Sequence, residues 1–403
     1  MRENQQGSRD TESDSFDERG TQHLNRDRSW SPPQRFWARD AGDRHLLAAL
    51  LASGRVTQVI DPIAQIADEL FDISDLGDLS DNGARERFGL EFDAESHTFG
   101  VWIYFPWSGE LIRYPDRQEH RSLRTFRNRD LITRSEQLVI AEAKIAVLGL
   151  SVGSNIVDQF VRVGIGSSYL LGDMDSVKAS NLNRMRASMR HVGVAKIDVL
   201  GRKISELDPY IEQVHLPSGY SDSADEELTN FKPDLIVEEV DDLAVKARIR
   251  QWASLNRTPL IMVTDAGERS VVDVERHDLG NVQPFNGRVK SATLQRLIEG
   301  QLTDAERKRV TIKIVGSRNL SIRLLESALQ VDKRLAGMPQ LISAASAGAA
   351  VASVAARAIL CGEPLKSGSY VLSPRRLLRI RPQAGIRESF RVLCALRASL
   401  TSS

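Results

Sequence analysis

Two cations and an acid stand where they could act together on a phosphate group. Arg184 ends the run Ser-Asn-Leu-Asn-Arg, Lys196 ends Val-Gly-Val-Ala-Lys, and Asp241 follows the run Leu-Ile-Val-Glu-Glu-Val. Taken separately, each has a structural interpretation, because Arg184 and Lys196 could be surface cations and Asp241 could cap a helix. Together they suit a triphosphate with magnesium better than hydride transfer, which needs no such cluster.

A glycine-rich loop precedes these residues. The run Gly-Leu-Ser-Val-Gly-Ser at 149–154 follows an apolar run and precedes a segment with helical spacing. A tight turn of this kind directs backbone N–H groups at an anion, and the helix dipole also favours negative charge there. Asp173, at the end of the next apolar run, is placed to hold a ribose hydroxyl. The pattern predicts a nucleotide site, although Ser151 disfavours a standard dinucleotide, and a loop that only makes the turn is the alternative.

Alternating apolar and helical segments predict the elements that position these residues. The strands are expected near 144–149, 168–173, 212–216, 234–238 and 259–264, and the helices near 153–163, 195–207, 222–230 and 242–255. This alternation predicts an α/β fold with a Rossmann-like, doubly wound, mainly parallel sheet whose site lies at the carboxyl ends of the strands. Beyond Val271 the pattern becomes mixed, with helices near 291–300, 320–335 and 340–361, and it predicts a mixed C-terminal extension.

Composition and patterning divide the chain into four expected parts. Residues 1–35 are polar and are predicted to be a disordered tail. Residues 36–120 are predicted to form a small α+β domain that contains a hairpin around the turn Pro-Trp-Ser. Residues 121–372 would form the nucleotide-binding domain, and residues 373–403 an arginine-rich tail.

Charge and cysteine content exclude several classes of protein. The 403 residues contain 54 basic and 54 acidic side chains, so no global field directs the chain to nucleic acid or membrane. Cys361 and Cys394 lie far apart and form no CxxC pair, which excludes a disulfide scaffold and a four-cysteine zinc site and favours a reducing cytoplasm. The apolar run 342–361 is rich in Ala and Ser and contains Arg357, so we expect a packed helix and no membrane span.

The order of the motifs resembles the ThiF/MoeB-like adenylyltransferases, the superfamily of the ubiquitin-activating enzymes. The resemblance covers roughly residues 121–372. It rests on the glycine loop, Asp-Met-Asp at 173–175, Ser-Asn-Leu-Asn-Arg, Val-Gly-Val-Ala-Lys and the acidic pair after an apolar run, with Arg-Asn-Arg-Asp at 127–130 ahead of them. The loop is most similar to that of a bacterial subgroup in which this module can be fused to a nitroreductase-like domain.

The resemblance implies an ATP- and Mg²⁺-dependent adenylyltransferase that converts a substrate carboxylate to an acyl-adenylate and releases pyrophosphate. Asp173 would bind the ribose and Asp241 the magnesium ion, and Arg129 would reach as an arginine finger into the neighbouring subunit of a homodimer. Three residues would bind or neutralise the phosphates: Asn181, Arg184 and Lys196. The remaining residues assigned to the nucleotide site are Gly149, Ser151, Gly153, Asp175 and Asn183.

The resemblance leaves the substrate open. The carboxylate could be the C-terminus of a ubiquitin-like or sulfur-carrier protein, a peptide or a small molecule. Relatives that form a thioester need a cysteine near the adenylate, and Cys361 and Cys394 are poor candidates, so we expect direct transfer to another nucleophile. Some relatives dehydrate a modified adenosine in tRNA, and the arginine-rich tail keeps that variant open, although nucleic acid is otherwise not expected as a partner.

Two functions of other classes compete with adenylation. An NAD-dependent oxidoreductase could use the same loop and Asp173, but it would leave Arg184, Lys196 and Asp241 without a role. A catalytically silent dimeric scaffold could bind nucleotide without turning it over. Release of pyrophosphate that requires a carboxylate would distinguish the enzyme from the scaffold.

Overall fold

The computed structural model describes residues 29–74, 81–221, 223–316, 319–331, 333–380, 391–392 and 394–395. The strands among them are β1 Gln34–Trp37, β2 Gln58–Ile60, β3 Val101–Phe105, β4 Glu110–Tyr114, β5 Lys144–Leu148, β6 Ser168–Gly172, β7 Glu212–Leu216, β8 Leu235–Glu238, β9 Leu260–Asp265, β10 Ser270–Glu275 and β11 Gly368–Leu372. They form a four-stranded sheet, ordered β1-β3-β4-β2, and a seven-stranded sheet, ordered β11-β10-β9-β8-β5-β6-β7.

The α-helices of the described residues surround these sheets. They are α1 Ala41–Ala52, α2 Ala67–Ile73, α3 Asn82–Glu95, α4 Arg117–Arg124, α5 Arg134–Glu142, α6 Gly153–Val163, α7 Lys196–Leu207, α8 Ala224–Phe231, α9 Leu243–Leu255, α10 Ser291–Ile298, α11 Asp304–Val315, α12 Ile322–Ala328, α13 Ile342–Leu360 and α14 Pro374–Leu377. Short 3₁₀ turns connect several of them, including one at Ala179–Asn181 and one at Phe126–Asn128.

The larger sheet is a doubly wound, mainly parallel sheet, which confirms the predicted fold class. Strands β5 to β9 run parallel, and β10 and β11 add an antiparallel extension beyond β9. Alternate residues of one strand face opposite layers: Ile145 and Val147 pack in a core with α6, α7 and α13, and Ala146 and Leu148 in a core with α8 and α9. Burial on both faces explains why β5, β6, β8 and β9 are largely apolar runs.

Helix α13 packs on the antiparallel side of the sheet. Its small residues allow a close approach, since a Cβ added at Gly348 would lie 2.4 Å from Cγ1 of Val263 in β9. It is also one helix of the described residues with the length and apolar composition to cross a membrane, with a mean hydropathy of 1.5. Half of that stretch is buried inside the protein, as expected for a core helix.

The smaller sheet is joined to the larger one through α7 and the residues after it. Trp107 Nε1 donates to Glu206 Oε1 at 3.0 Å, and the Tyr114 hydroxyl donates to the Glu206 carbonyl at 3.0 Å. The buried Tyr210 hydroxyl donates to the Pro115 carbonyl at 2.6 Å.

The ordered N-terminal part begins earlier than the sequence indicates. The tail expected over residues 1–35 includes Trp30, whose ring stacks on His215 at 4.1 Å and whose Nε1 donates to Ser205 Oγ at 3.2 Å. Strand β1 then starts at Gln34 and pairs with β3. The expected boundary at 35 is therefore corrected to a position before Trp30, and residues 1–28 lie outside the described residues.

Candidate nucleotide site

The glycine-rich loop leaves β5 at the carboxyl edge of the sheet and leads into α6. Gly149 has a φ of +92°, and its N–H donates to the Gly172 carbonyl at the end of β6 at 2.8 Å. A Cβ at this position would lie 2.4 Å from the carbonyl carbon and oxygen of Glu239, so only glycine fits. The loop is thus held between the ends of β6 and β8, and α6 begins at Gly153 directly after it.

Asp173 closes this loop from the end of β6. Its Oδ2 accepts the Leu150 N–H at 2.7 Å, and its Oδ1 accepts the Asp175 N–H at 2.8 Å. The side chain is only 8% exposed as a result. The structure therefore gives Asp173 a role in shaping the loop, and its binding of a ribose stays a prediction.

Lys196 begins α7 and points toward the same pair of acids. Its Nζ lies 2.7 Å from Asp175 Oδ2 and 3.6 Å from Asp173 Oδ1. The hydrogen bond from Lys196 lowers the pKa of Asp175 below its usual range. The Lys196 side chain is 8% exposed, whereas that of Asp175 is 56% exposed. A buried lysine therefore pairs with an acid at the protein surface.

Arg184 contacts the glycine-rich loop directly. Its Nε donates to Ser151 Oγ at 3.2 Å and its Nη1 to Asn183 Oδ1 at 3.0 Å, while the buried Asn155 donates to its carbonyl at 2.8 Å. Burial lowers the pKa of the guanidinium, and the carboxylates of Asp265 and Asp241 oppose that shift. Ser151 is therefore a contact for the predicted phosphate-binding arginine.

The two adjacent acids after β8 have different roles. Asp242 caps α9, since its Oδ1 accepts the N–H groups of Ala244 and Val245 at 2.8 and 2.9 Å. Asp241 is exposed, and within the part of the chain that the structure describes its carboxylate has no hydrogen bond or ion pair. Asp242 is therefore the helix cap, and Asp241 is the carboxylate that is available to a ligand.

Asp265 is a further candidate site residue, in the segment 264–269, whose polar sequence favours a solvated loop although it could also orient the acceptor. It is the last residue of β9, and both its carboxylate oxygens are shielded from solvent without a hydrogen-bond partner among the described residues. Burial raises the pKa of Asp265 to about 6, and the charge of Arg184 acts in the opposite direction. A carboxylate next to a cluster of predicted phosphate ligands, with a perturbed pKa and unused oxygens, indicates a functional position.

Two of the predicted site residues, Asn181 and Arg129, contact groups outside this cluster. Asn181 is buried and its Oδ1 accepts the Lys178 N–H at 2.9 Å, so it shapes the loop that carries Arg184. Arg129 is exposed, stacks on the Phe126 ring at 4.7 Å and donates to the Ile73 carbonyl at 3.3 Å. Its predicted action on a neighbouring subunit's site stays a prediction.

Cys361 lies at the far end of α13 from the site. The helix starts beside β10, where the Ala344 carbonyl accepts the Ser270 hydroxyl at 2.5 Å, and its C-cap is Cys361. Nineteen residues at about 1.5 Å each separate the two ends by roughly 28 Å. Burial also raises the pKa of the thiol, which disfavours the reactive thiolate.

The fold and the site define the class of α/β proteins that carry a glycine-rich loop and cations at the carboxyl ends of the strands. A model of the ThiF family matches residues 124–373. The chain therefore belongs to the ThiF family.

Curated relatives extend this family assignment. Over 269 residues the chain is 35% identical to an uncharacterized protein of Mycobacterium tuberculosis, covering 66% of this chain and 37% of that protein. It is 26% identical over 163 residues to a tRNA threonylcarbamoyladenosine dehydratase of Bacillus subtilis, covering 40% of this chain and 63% of that enzyme. The chain thus spans about a third of the first relative and less than two thirds of the second.

Solved structures with similar folds have low sequence identity. One is PaaA, with a TM-score of 0.44, 20% identity and coverage of 64% of this chain and 69% of that one. Two more are Escherichia coli proteins: the dehydratase TcdA (TM-score 0.42, 20% identity, 60% and 95% coverage) and MccB (TM-score 0.42, 16% identity, 59% and 64% coverage).

Proposed function

We propose that this chain activates a substrate carboxylate by ATP- and Mg²⁺-dependent adenylation. The observation that supports this most strongly is the set of contacts around the glycine loop. Arg184 donates to Ser151 of the loop, Lys196 is held by the acid that closes it, and Asp241 follows the neighbouring strand. These charges surround a loop of the kind that binds phosphate.

The reaction requires an anion to attack an anion. The substrate carboxylate oxygen would bond to the α-phosphorus as the bond to the pyrophosphate oxygen breaks, leaving an acyl-adenylate. Arg184 and Lys196 would offset the charge that builds on the phosphorus oxygens, and each is already oriented by protein contacts. Removal of one such group typically lowers the rate by about ten- to a thousandfold.

Asp241 fits the magnesium ion that this reaction needs. Its carboxylate is exposed and unpartnered among the described residues, and carboxylate oxygens suit Mg²⁺, which retains waters and phosphate oxygens as its other ligands. When bound, the ion supplies charge neutralisation on the phosphates. Among the described residues no group of three or more His, Cys, Asp or Glu forms a separate metal site.

Arg129 would complete the site of a second copy of the chain. Among the described residues its exposed guanidinium contacts Phe126 and the Ile73 carbonyl and none of the charged groups around the glycine loop. A mixture of inactive Arg129→Ala and Arg184→Ala subunits would then recover part of the activity, because a mixed homodimer contains one intact site. No recovery in proven mixed dimers would contradict this assignment.

We also propose that the acyl group passes directly to a nucleophile other than cysteine. The position of Cys361 supports this, because it lies one helix length from the end of α13 that follows Gln340, the residue bonded to Asn183. Cys361→Ser would therefore keep full activity. A stable thioester on Cys361 would contradict the proposal.

Pyrophosphate release from Mg²⁺-ATP tests the proposed function. The probes are synthetic peptides with free C-terminal carboxylates, and the same peptides amidated, with hydroxylamine to trap the acyl-adenylate. Release only with free carboxylates supports adenylation, and we expect Arg184→Ala and Asp241→Ala to abolish it while the protein stays folded. Arg186→Ala is the matched control, since Arg186 pairs with Asp158 and, within the described part of the chain, has no hydrogen bond or ion pair with these groups. Near-normal rates in both site variants would overturn the assignment, and ATP binding without release would indicate a scaffold.

A further inference from the structure

A large groove opens beside the nucleotide site at the end of β9. It encloses about 1330 Å³ and is lined by three segments and two further residues, Pro339 and Leu341. The segments are the loop 267–269 after β9, residues 319–327 including part of α12, and residues 371–380 around α14. This volume exceeds the usual size of a small-molecule pocket, about 300–1,000 Å³, which indicates a larger ligand.

The lining of this groove is strongly basic. Among the residues that the structure describes, it contains five arginines, Arg269, Arg323, Arg375, Arg376 and Arg379, and one acid, Glu268. Glu268 already pairs with Arg375, whose Nε lies 3.3 Å from its Oε2. The positive charge in excess attracts an anionic ligand, and guanidinium groups bind carboxylates or phosphates in pairs of hydrogen bonds.

The apolar part of the lining distinguishes between anionic ligands. It consists of aliphatic side chains, including Val371, Leu377 and Ile380, which are 48%, 72% and 46% exposed. The lining residues that the structure describes include no Phe, Tyr, Trp or His. Single-stranded nucleic acid is usually held by stacking on such rings, whereas an extended polypeptide packs its own aliphatic side chains on aliphatic ones. The chemistry therefore favours an acidic polypeptide.

The groove adjoins the nucleotide site through one short stretch of chain and one hydrogen bond. The loop residue Gly267 follows the buried Asp265 by two positions. On the other wall, Asn183 Nδ2 donates to the Gln340 carbonyl at 2.8 Å, between the lining residues Pro339 and Leu341. A chain lying in the groove would therefore end near Arg184.

We propose that this arginine groove binds an acidic segment of polypeptide with interspersed aliphatic side chains. Its further role, to present that polypeptide's carboxylate for activation, rests on the adenylation function proposed above. Binding in the groove itself needs no nucleotide, so the two proposals can fail separately.

Fluorescence anisotropy on the full chain without ATP tests the groove. The probe is a labelled peptide of alternating Glu and Leu, compared with Lys-Leu and Glu-Ser peptides and with oligouridylate. The test variant is Arg376→Ala with Arg379→Ala. The control is Arg87→Ala with Arg257→Ala, which likewise removes one exposed helical arginine and one exposed arginine at a φ of +54°.

We expect the Glu-Leu peptide to bind most tightly, and the groove variant to weaken it at least about tenfold. The control variant should bind as the wild type does, and added salt should weaken the wild type more than the groove variant. Equal loss in both variants, no binding of the Glu-Leu peptide, or tighter binding of oligouridylate would overturn the proposal. Mg²⁺-ATP binding, measured in parallel on the groove variant, should be unchanged, so a failure of the nucleotide site shows up separately.

Discussion

Two arginines that lie beside the large sheet have opposite surroundings. Arg250 is fully buried, with Nε 2.7 Å from Glu275 Oε1 and Nη1 2.5 Å from Glu238 Oε2, and its guanidinium lies 3.9 Å from the Phe285 ring centre. Arg184 is half-buried and contacts neutral groups through its side chain, while the acids that act on it are not hydrogen-bonded to it. We call the network of Arg250 closed, because its carboxylates bond the guanidinium directly. We call the network of Arg184 open, because its carboxylates do not.

The difference between the two networks indicates what each is for. A buried charge is tolerated when its partners are complete, and breaking such a group leaves an uncompensated charge. Asp265 is buried without a partner among the described residues, so its ionised form costs stability. Charged groups that lack partners and do not stabilise the fold are typical of functional sites, where a bound ligand supplies the missing partner.

The largest effect should come from breaking the closed network. Arg250→Met should lower the free energy of unfolding by about 3–5 kcal/mol, because Glu238 and Glu275 lose a buried cation. Arg184→Met, the same substitution in the open network, should lower it by about 1 kcal/mol or less. Urea unfolding of both variants measures the difference. Equal losses would contradict the distinction between the networks.

The next largest effect concerns the loop that the open network surrounds. Gly149→Ala should lower the free energy of unfolding by about 2–4 kcal/mol, because it adds left-handed strain and a clash with the Glu239 backbone. Gly193→Ala is the control: its φ is +85°, but no atom lies within 4 Å of an added Cβ. It should cost about 1–2 kcal/mol from strain alone. Similar costs at both positions would show that the loop is not packed as described.

Asp265→Asn should stabilise the protein at neutral pH. The pKa of Asp265 is raised to about 6, so between pH 4 and 6 the native state holds the proton more tightly than the unfolded chain, and stability falls as pH rises. Removing the carboxyl should therefore add about 1–3 kcal/mol at pH 7 and nothing near pH 4. Unfolding curves across this range test it, and a variant less stable at pH 7 would refute the unpaired state of Asp265.

The smallest effect should be at the paired acid of the same site. The hydrogen bond from Lys196 lowers the pKa of Asp175, so the pair contributes stability at neutral pH that is lost as pH falls through that pKa. Because Asp175 is 56% exposed, Asp175→Asn should cost only about 0.5 kcal/mol at pH 7. The sign is opposite to that of Asp265→Asn, and equal signs would contradict the comparison.

The sequence was sufficient to predict the strands that are buried on both faces. Strands β5, β6, β8 and β9 match the expected segments within one or two residues, because their apolar runs have no competing pattern. The edge strand β7, which contains no buried residue, also lies where it was expected. Strands β1 and β2, of four and three residues, were not predicted, since such short segments show little alternation. Helix α11 was also missed because its polar face dominates, although the capping pair Thr303 and Glu306 was a usable signal.

The site was predictable where residue type and order carried the signal. The glycine loop, Arg184 and Lys196 are arranged at one edge of the sheet, as strand alternation implies. The burial of Asp265 could not be predicted, because the segment 264–269 is polar and favours a solvated loop, whereas the structure shields both carboxylate oxygens from solvent. The different roles of Asp241 and Asp242 could not be predicted either, because they depend on the exact residue at which α9 begins.

Calorimetric titration of Mg²⁺-ATP into the wild type and the Arg184→Ala and Arg186→Ala variants, beside NAD and NADP, tests the central claim most directly. The account predicts that the wild type and Arg186→Ala bind Mg²⁺-ATP, that Arg184→Ala binds it at least about tenfold more weakly, and that NAD and NADP do not bind. Binding of NAD in place of ATP, or equal ATP affinity in all three proteins, would contradict the assignment of the open network as the nucleotide site.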